Sequence, residues 1–127
     1  MNVMLDTNAY SAFKRGDTAT VEELARADEV LVPTPVLGEL RAGFRAGRRE
    51  ADNLRELELF LSRPRVRVHA LGEKTAIFYA EIHGALRAAG KPIPTNDLWI
   101  AAAALEAGAS LLTNDSHFDA IIGLVRA

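Results

Sequence analysis

Four acidic residues lie at positions where an exposed surface charge is not the simplest explanation. They are Asp6, Glu39, Asp97 and Asp115. Asp6 ends a short apolar run near the N-terminus, and Asp115 follows another apolar run near the C-terminus. Glu39 lies inside an otherwise apolar helical pattern, while Asp97 opens a stretch rich in alanine and leucine. Each placement puts a carboxylate beside a segment that we expect to be buried.

Carboxylates that gather in one place repel each other, and each raises the pKa of the others. A hard divalent cation relieves that repulsion, and Mg²⁺ or Mn²⁺ prefers carboxylate and water oxygens. If the four acids converge, they therefore predict a Mg²⁺ or Mn²⁺ site. Polar residues beside two of the acids could orient those carboxylates or nearby waters, and these are Thr7, Asn8, Thr113 and Asn114. Helix capping is an equally good role for the first two.

Each acid, taken alone, also has a purely structural interpretation. Asp6 could cap a strand end, and Glu39 could be an exposed residue of a helix. Asp97 could complement a helix dipole, and Asp115 could form a turn. The joint placement favours a shared site, because three of these strand-end or helix-start positions fall on one side of a parallel sheet.

The elements that must position the acids alternate short apolar strands with amphipathic helices. Strands are predicted at Val3–Leu5, Val30–Val32, Val66–Ala70 (half-exposed) and Ser110–Leu112. This alternation predicts one α/β domain over residues 1–127, with a mostly parallel central sheet and helices on both faces. Sites in such sheets form beyond the carboxyl ends of the strands, so Asp6 and Asp115 are expected on the same rim.

Capping residues predict where two of the helices begin. Thr7 and Asn8 are expected to cap a short helix over residues 9–14. Asn96 is expected to cap a helix over residues 97–107, which would place Asp97 in its first turn.

Composition excludes several classes of protein. The 127 residues are 49% hydrophobic and 25% charged, which is typical of a globular protein. The formal net charge of −2 excludes a uniformly basic nucleic-acid coat but not a local basic patch. The chain has no cysteine, which excludes disulfide scaffolds, thiolate zinc sites and cysteine nucleophiles. No stretch approaches the ~18 apolar residues of a membrane helix, and no signal peptide is recognised, so a cytoplasmic location without membrane contact is expected.

Four sequence blocks resemble those of PIN-domain ribonucleases and occur in that family's order: MLDTNAY, VLGELRAG, PTNDLWIAAAAL and LLTNDSHF. Within the family the chain resembles the VapC toxins of bacterial and archaeal toxin–antitoxin pairs, over essentially its whole length. Each block alone is short, but four ordered blocks make a specific signal. The resemblance implies a PIN-like fold, an acidic site at the four carboxylates named above, and a family Ser/Thr position at Thr113.

The resemblance also implies an activity, metal-dependent endoribonuclease cleavage. One or two Mg²⁺ or Mn²⁺ ions held by Asp6, Asp97 and Asp115 would lower the pKa of a water and stabilise charge during phosphodiester hydrolysis. Glu39 would bind the metal through water or position the attacking water.

RNA that approaches an acidic site needs basic residues around it. Lys14, Arg15 and Arg41 are near Asp6 or Glu39 in sequence and could bind phosphates, although a solvated helix face explains them as well. As partners, the resemblance implies a cognate antitoxin and a homodimer. The apolar surfaces of helices around 54–61 and 77–86 could serve either contact or belong to the core.

The C-terminal segment carries two further expectations. His117 is interpreted as capping or packing the turn after Asp115, with proton transfer as the less favoured role. Members of the resembled family continue into a final strand, whereas this sequence ends at Val125-Arg126-Ala127, so a short final strand is expected.

Two alternatives stay open at this point. A catalytically silent PIN-like module would bind RNA or protein without cleaving. A receiver-type phosphoacceptor domain would need an acidic pair after the first strand and a lysine after a late strand, and the sequence offers only Asp6 and no lysine after Leu112.

Overall fold

A four-stranded parallel sheet forms the centre of the computed structural model, which describes residues 1–127. The strands lie in the order β3-β2-β1-β4 and are β1 (Val3–Leu5), β2 (Val30–Pro33), β3 (Val66–His69) and β4 (Ser110–Leu112). All three neighbouring pairs run parallel. Every residue of the two strands β1 and β4 is buried, as expected for short apolar strands inside a parallel sheet. The predicted α/β fold with a parallel sheet is confirmed.

Six helices connect the strands, and a 3₁₀ turn over Ser116–Ala120 follows β4. The helices are α1 (Thr7–Lys14), α2 (Thr18–Arg26), α3 (Thr34–Ala46), α4 (Glu50–Leu61), α5 (Glu73–Ala88) and α6 (Thr95–Ala107). The chain moves outward from β1 to β2 and β3, and then returns across the sheet to β4. Because such crossovers are right-handed, the first four helices cover one face and the last two cover the other.

Helix α6 is apolar on all sides and is the most deeply buried helix. Its alanines Ala101–Ala104 are fully buried, and Leu98 and Ile100 lie in the same core cluster. A buried helix of this kind holds its ends in fixed positions. The N-terminal turn of α6, which carries Asp97, is therefore supported by the core.

The reversal of strand order falls between β1 and β4, where the chain leaves the sheet in opposite directions. Ligand sites of parallel α/β sheets form at such a point, outside the carboxyl ends of the strands. The register pairs Leu5 with Leu112, so the next residues, Asp6 and Thr113, emerge side by side. The fold thus brings together residues from the two ends of the chain.

Two of the predicted helix starts are wrong, each by two residues. Helix α1 begins at Thr7, and its cap is Asp6, whose extended backbone lets the carboxylate accept the N–H of Ala9. Helix α6 begins at Thr95, directly after Pro94, and has no side-chain cap, so Asn96 lies inside its first turn.

Strand β3 differs from its predicted half-exposed pattern. Val66 is buried, but Val68 is 48% exposed and Ala70 lies outside the strand. The reason is that β3 is an edge strand, paired only with β2, and its outer surface is covered incompletely.

The C-terminal segment adds a single parallel bridge beside β4, between Leu111 and Arg126. The N–H of Leu111 donates to Val125 O at 2.8 Å, and the N–H of Ala127 donates to Leu111 O at 2.9 Å. The C-terminal segment thus pairs with β4 through one bridge and does not form a fifth strand. None of the helices combines the length and the apolar character needed to cross a membrane.

Candidate active site

All four predicted carboxylates line one cleft at the carboxyl edge of the sheet, with a volume of about 310 Å³. The lining residues are Asp6, Thr7, Asn8, Glu39, Pro94, Asn96, Asp97, Ile100, Asp115 and His117. No lysine or arginine is among them, so the cleft contains four carboxylates and no permanent cation. This convergence is the condition on which the sequence interpretation depended.

Asp6 is the most buried of the four acids, with 5% of its surface exposed. One carboxylate oxygen, Oδ1, accepts the N–H of Ala9 at 2.8 Å, and the other, Oδ2, accepts the hydroxyl of Thr113. Burial raises the pKa of Asp6 above its ordinary value, and the charges of Asp97 and Asp115 raise it further. The two hydrogen bonds oppose this rise, because they stabilise the ionised form of Asp6 in a place from which water is largely excluded.

Glu39 enters the cleft from the middle of α3 and is exposed. The hydroxyl of Thr7 donates to Glu39 Oε1 at 2.8 Å. Since Thr7 directly follows Asp6 in the chain, this contact ties α3 to the end of β1. The role of Thr7 in orienting a site carboxylate stays a prediction.

Asp97 and Asp115 face each other across His117. The imidazole Nδ1 lies 3.1 Å from Asp97 Oδ2 and 3.2 Å from Asp115 Oδ1. The turn that presents this group is fixed by the backbone: the N–H of His117 donates to Asp115 Oδ1 at 2.9 Å, and the N–H of Asp115 donates to Thr113 Oγ1, also at 2.9 Å. Thr113 therefore contacts two of the four acids.

The electrostatics of Asp97 resemble those of Asp6. Burial raises the pKa of Asp97, and the charges of Asp115 and Glu39 add to the rise, while the contact with His117 opposes it. The position of Asp97 in the first turn of α6 also favours its anion, because the amino end of a helix carries partial positive charge.

The other predicted residues lie at the edge of the cleft or outside it. Asn8 lines the cleft and is exposed, whereas Asn114 is exposed and lies outside the lining. Lys14 and Arg15 line a separate depression between α1 and α4, and Lys14 pairs with Glu56 at 3.5 Å. Arg41 is exposed on α3, two residues after Glu39.

His117 makes side-chain contacts that were not predicted from the sequence. The turn that it was expected to cap or pack is present, but its side chain also bridges two acids from different elements. The available signal was its spacing, since a histidine two residues after a strand-end aspartate lies within reach of the same rim. Asn96, expected only as a cap, lines the cleft instead.

The donor set fits a hard divalent cation. Four carboxylates lie together without a lysine or arginine. Burial raises the pKa of Asp6 and of Asp97 and repulsion between the acids adds to it, and bound positive charge would oppose both effects. Asp97, Asp115 and His117 each offer one ligand atom, and these three atoms lie within 4.8 Å of one another. The arrangement is therefore an acidic cluster with the donor chemistry that a divalent cation requires.

Comparison with known proteins agrees with this geometry. The model of the PIN domain family matches residues 3–124. The chain is 33% identical to ribonuclease VapC2 of Rickettsia felis over 119 residues, which cover 91% of this chain and 87% of that relative.

Two solved structures of VapBC proteins are similar to this chain over its full length. VapBC2 from Rickettsia felis, bound to a DNA fragment from its promoter, has a TM-score of 0.87 at 30% identity and covers 100% of this chain and 98% of the other. VapBC-1 from nontypeable Haemophilus influenzae has a TM-score of 0.88 at 28% identity, with coverage of 100% and 97%.

The fold and the acidic site thus define a PIN-domain nuclease. Within that class, the chain belongs to the VapC ribonucleases, the toxins of VapBC toxin–antitoxin systems. Membership excludes the receiver-domain interpretation, and the sheet order agrees, because β1 lies between β2 and β4 here and not between β2 and β3 as in flavodoxin-like folds.

Proposed function

We propose that this VapC-type ribonuclease cleaves RNA phosphodiester bonds in the cleft lined by Asp6, Glu39, Asp97 and Asp115. The observation that carries the proposal is the convergence of four carboxylates, without lysine or arginine, at the switch point between β1 and β4. A purely structural role does not explain such a site, because repulsion between the carboxylates destabilises the fold until a cation binds.

Asp6, Asp97 and Asp115 would hold Mg²⁺ or Mn²⁺, with Glu39 at the open side of the cleft. The bound ion would supply Lewis-acid chemistry, which activates a water and stabilises negative charge on the phosphate. Two hydrogen bonds to its oxygens hold the Asp6 carboxylate in one orientation. Glu39, held by Thr7 and exposed, is placed to accept a proton from an attacking water.

RNA would reach the cleft over exposed basic residues. Arg41 is on the same helix as Glu39, and Arg15 ends the helix that follows Asp6. Lys14 is a weaker candidate because Glu56 already pairs with it. These three residues make up the proposed phosphate-binding surface.

The test is cleavage of a mixed RNA pool by the purified chain, freed of any bound partner, with Mg²⁺ or Mn²⁺. Cleavage is expected to be lost on adding a chelator and to fall by at least about a hundredfold in Asp6→Asn and Asp97→Asn. Asp52→Asn is the matched control, since Asp52 is a surface acid on α4 that pairs with Arg49 and Arg55. Binding of RNA without cleavage in either metal would instead support the silent module.

A cognate antitoxin is the proposed protein partner, and a homodimer the proposed assembly. The support is that similar solved structures are VapBC complexes. Part of the apolar surface named in the sequence also stays uncovered, since Leu59 on α4 is 64% exposed and Ile77 on α5 is 58% exposed. A cytoplasmic location, where RNA is available, stays a prediction.

The toxin role has its own test in cells. Expression of the chain without an antitoxin is expected to arrest growth, and Asp6→Ala is expected to relieve the arrest. Equal growth with the active chain and with the variant, at equal protein levels, would contradict the role. Sequencing the 5′ ends of RNA fragments after induction would identify the RNA that is cut.

A further inference from the structure

His117 has the position of a metal ligand and not merely of a residue that packs a turn. Its Nδ1 lies 3.1 Å from Asp97 Oδ2 and 3.2 Å from Asp115 Oδ1. Ligand atoms on adjacent corners of an octahedron with 2.1 Å bonds lie about 3.0 Å apart. We propose that Asp97, Asp115 and His117 form a mixed oxygen and nitrogen donor set, in which the His117 imidazole binds the metal ion directly.

The surroundings of His117 make this role available. Its side chain is 50% exposed, so the ring can turn. In the tautomer that carries the proton on Nε2, the Nδ1 lone pair is available to a cation in place of the hydrogen bond to Asp97. The turn holds its backbone through Asp115, so the ring stays within reach of both acids. The two other histidines are engaged elsewhere: His69 contacts Glu106, and His83 is stacked against Tyr79.

A nitrogen donor changes which cation the site prefers. Mg²⁺ takes almost exclusively oxygen ligands, whereas imidazole suits transition metals such as Mn²⁺ better. A site of carboxylates alone would hold the two ions by similar chemistry. The mixed donor set therefore assigns to His117 a preference for Mn²⁺ over Mg²⁺, an inference that rests on the proposed metal-dependent function.

The test is pulsed electron paramagnetic resonance of the full chain with equimolar Mn²⁺ and no RNA. A directly bound imidazole is expected to give ¹⁴N modulation of the Mn²⁺ echo, and His117→Phe is expected to remove it. Mn²⁺ affinity should fall at least about tenfold in His117→Phe, while Mg²⁺ affinity changes by less than about twofold. His83→Phe makes the same change on α5, away from the cleft, and should alter neither quantity.

The outcomes separate this inference from the proposed function. If Mn²⁺ binds but the wild-type protein gives no ¹⁴N modulation, His117 is not a ligand and the nuclease proposal stands. The same conclusion follows if His117→Phe weakens Mg²⁺ and Mn²⁺ binding equally, because a residue that only orients the acids would do so. If neither ion binds the wild-type protein, the proposed metal-dependent function fails as well. The wild-type spectrum decides the ligand question even if His117→Phe does not fold.

Discussion

Thr113, at the end of β4, donates its hydroxyl to Asp6 at the end of the neighbouring strand β1, although the two residues lie near opposite ends of the chain. They are neighbours because β1 and β4 are parallel and in register, with Leu5 paired to Leu112. The same hydroxyl oxygen accepts the N–H of Asp115 at 2.9 Å. One buried side chain therefore couples the strand-end acid of β1 to the strand-end acid of β4.

Thr113→Val should test this coupling, because valine keeps the shape and removes the hydroxyl. The free energy of unfolding is expected to fall by about 1–3 kcal/mol, since a buried carboxylate loses a donor and a backbone N–H loses its acceptor. The pKa of Asp6 should rise further, because the Thr113 hydrogen bond opposes the effect of burial. Metal affinity near neutral pH should therefore fall with it. Denaturant unfolding and calorimetric metal titration measure the two effects.

Thr113→Ser is the matched control, as it keeps the hydroxyl and loses only a methyl group. It is expected to retain most of the metal affinity. Equal losses of affinity in the serine and valine variants would show that packing, and not the hydrogen bond, supports Asp6.

The strand-end acids could be predicted because their signals are local. An apolar run that stops at an aspartate marks a strand end, and parallel strands bring such ends to one edge. Asp6 also shows that structural and site roles need not compete. Its Oδ1 caps helix α1 and its Oδ2 accepts the hydroxyl of the buried Thr113, so a capping role and a site role are compatible.

The remaining differences depend on contacts that no local pattern encodes. The contact between His117 and Asp97 requires the turn after β4 to lie against the start of α6. The residues around His117 do not predict that packing. The exposure of Val68 depends on β3 being an edge strand, which is set by strand order. Three adjacent residues, Asp6, Thr7 and Asn8, can each cap the start of α1. Asp6 is the cap because its backbone is extended and its carboxylate reaches the N–H of Ala9.

Asp97→Asn should stabilise the metal-free protein while it abolishes cleavage. Burial and neighbouring acids raise the pKa of Asp97 in the fold above its ordinary value of 3.8. The carboxyl group of Asp97 therefore binds its proton more tightly in the folded state than in the unfolded chain. Stability is lost as pH rises from about the ordinary pKa of Asp97 through its pKa in the folded state. Asparagine removes that loss, and Tm at neutral pH in the presence of chelator is expected to rise by a few degrees.

Melting curves of the wild type and Asp97→Asn in chelator, from acid to neutral pH, measure this effect. The difference in Tm between the two proteins should grow as pH rises. Added Mn²⁺ should raise the Tm of the wild type far more than that of the variant. A difference in Tm that is constant with pH would contradict the raised pKa.

Glu106→Gln should lower stability without affecting the chemistry of the cleft. Glu106 Oε1 accepts the hydroxyl of the buried Thr75 at 2.6 Å and lies 2.8 Å from His69 Nε2, which ties α6 to α5 and β3. Burial acts to raise the pKa of Glu106, but these contacts outweigh it and leave the pKa below the ordinary 4.5. Ionised Glu106 therefore adds to the stability of the fold at pH values above its ordinary pKa. That stability is lost as pH falls through the pKa of Glu106 in the folded state.

Denaturant unfolding at neutral pH should show a loss of about 1–2 kcal/mol for Glu106→Gln. The loss should shrink as the pH is lowered through the folded pKa. Metal affinity and cleavage rate should match those of the wild type, because Glu106 does not line the cleft. An equal loss of stability at all pH values would mean that packing, and not charge, is responsible.

Arg41→Ala should weaken RNA binding while leaving metal binding unchanged. Arg41 is exposed on α3, two residues after Glu39, and pairs with no carboxylate, so its charge is available to a phosphate. Loss of one phosphate contact should reduce the slope of log affinity against log salt by about one. Fluorescence anisotropy of labelled RNA, measured over a salt series in the non-cleaving Asp97→Asn background, checks this. Arg67→Ala is the control, because Arg67 lies on β3 and already pairs with Glu29. An equal slope change in Arg67→Ala would contradict a specific role for Arg41.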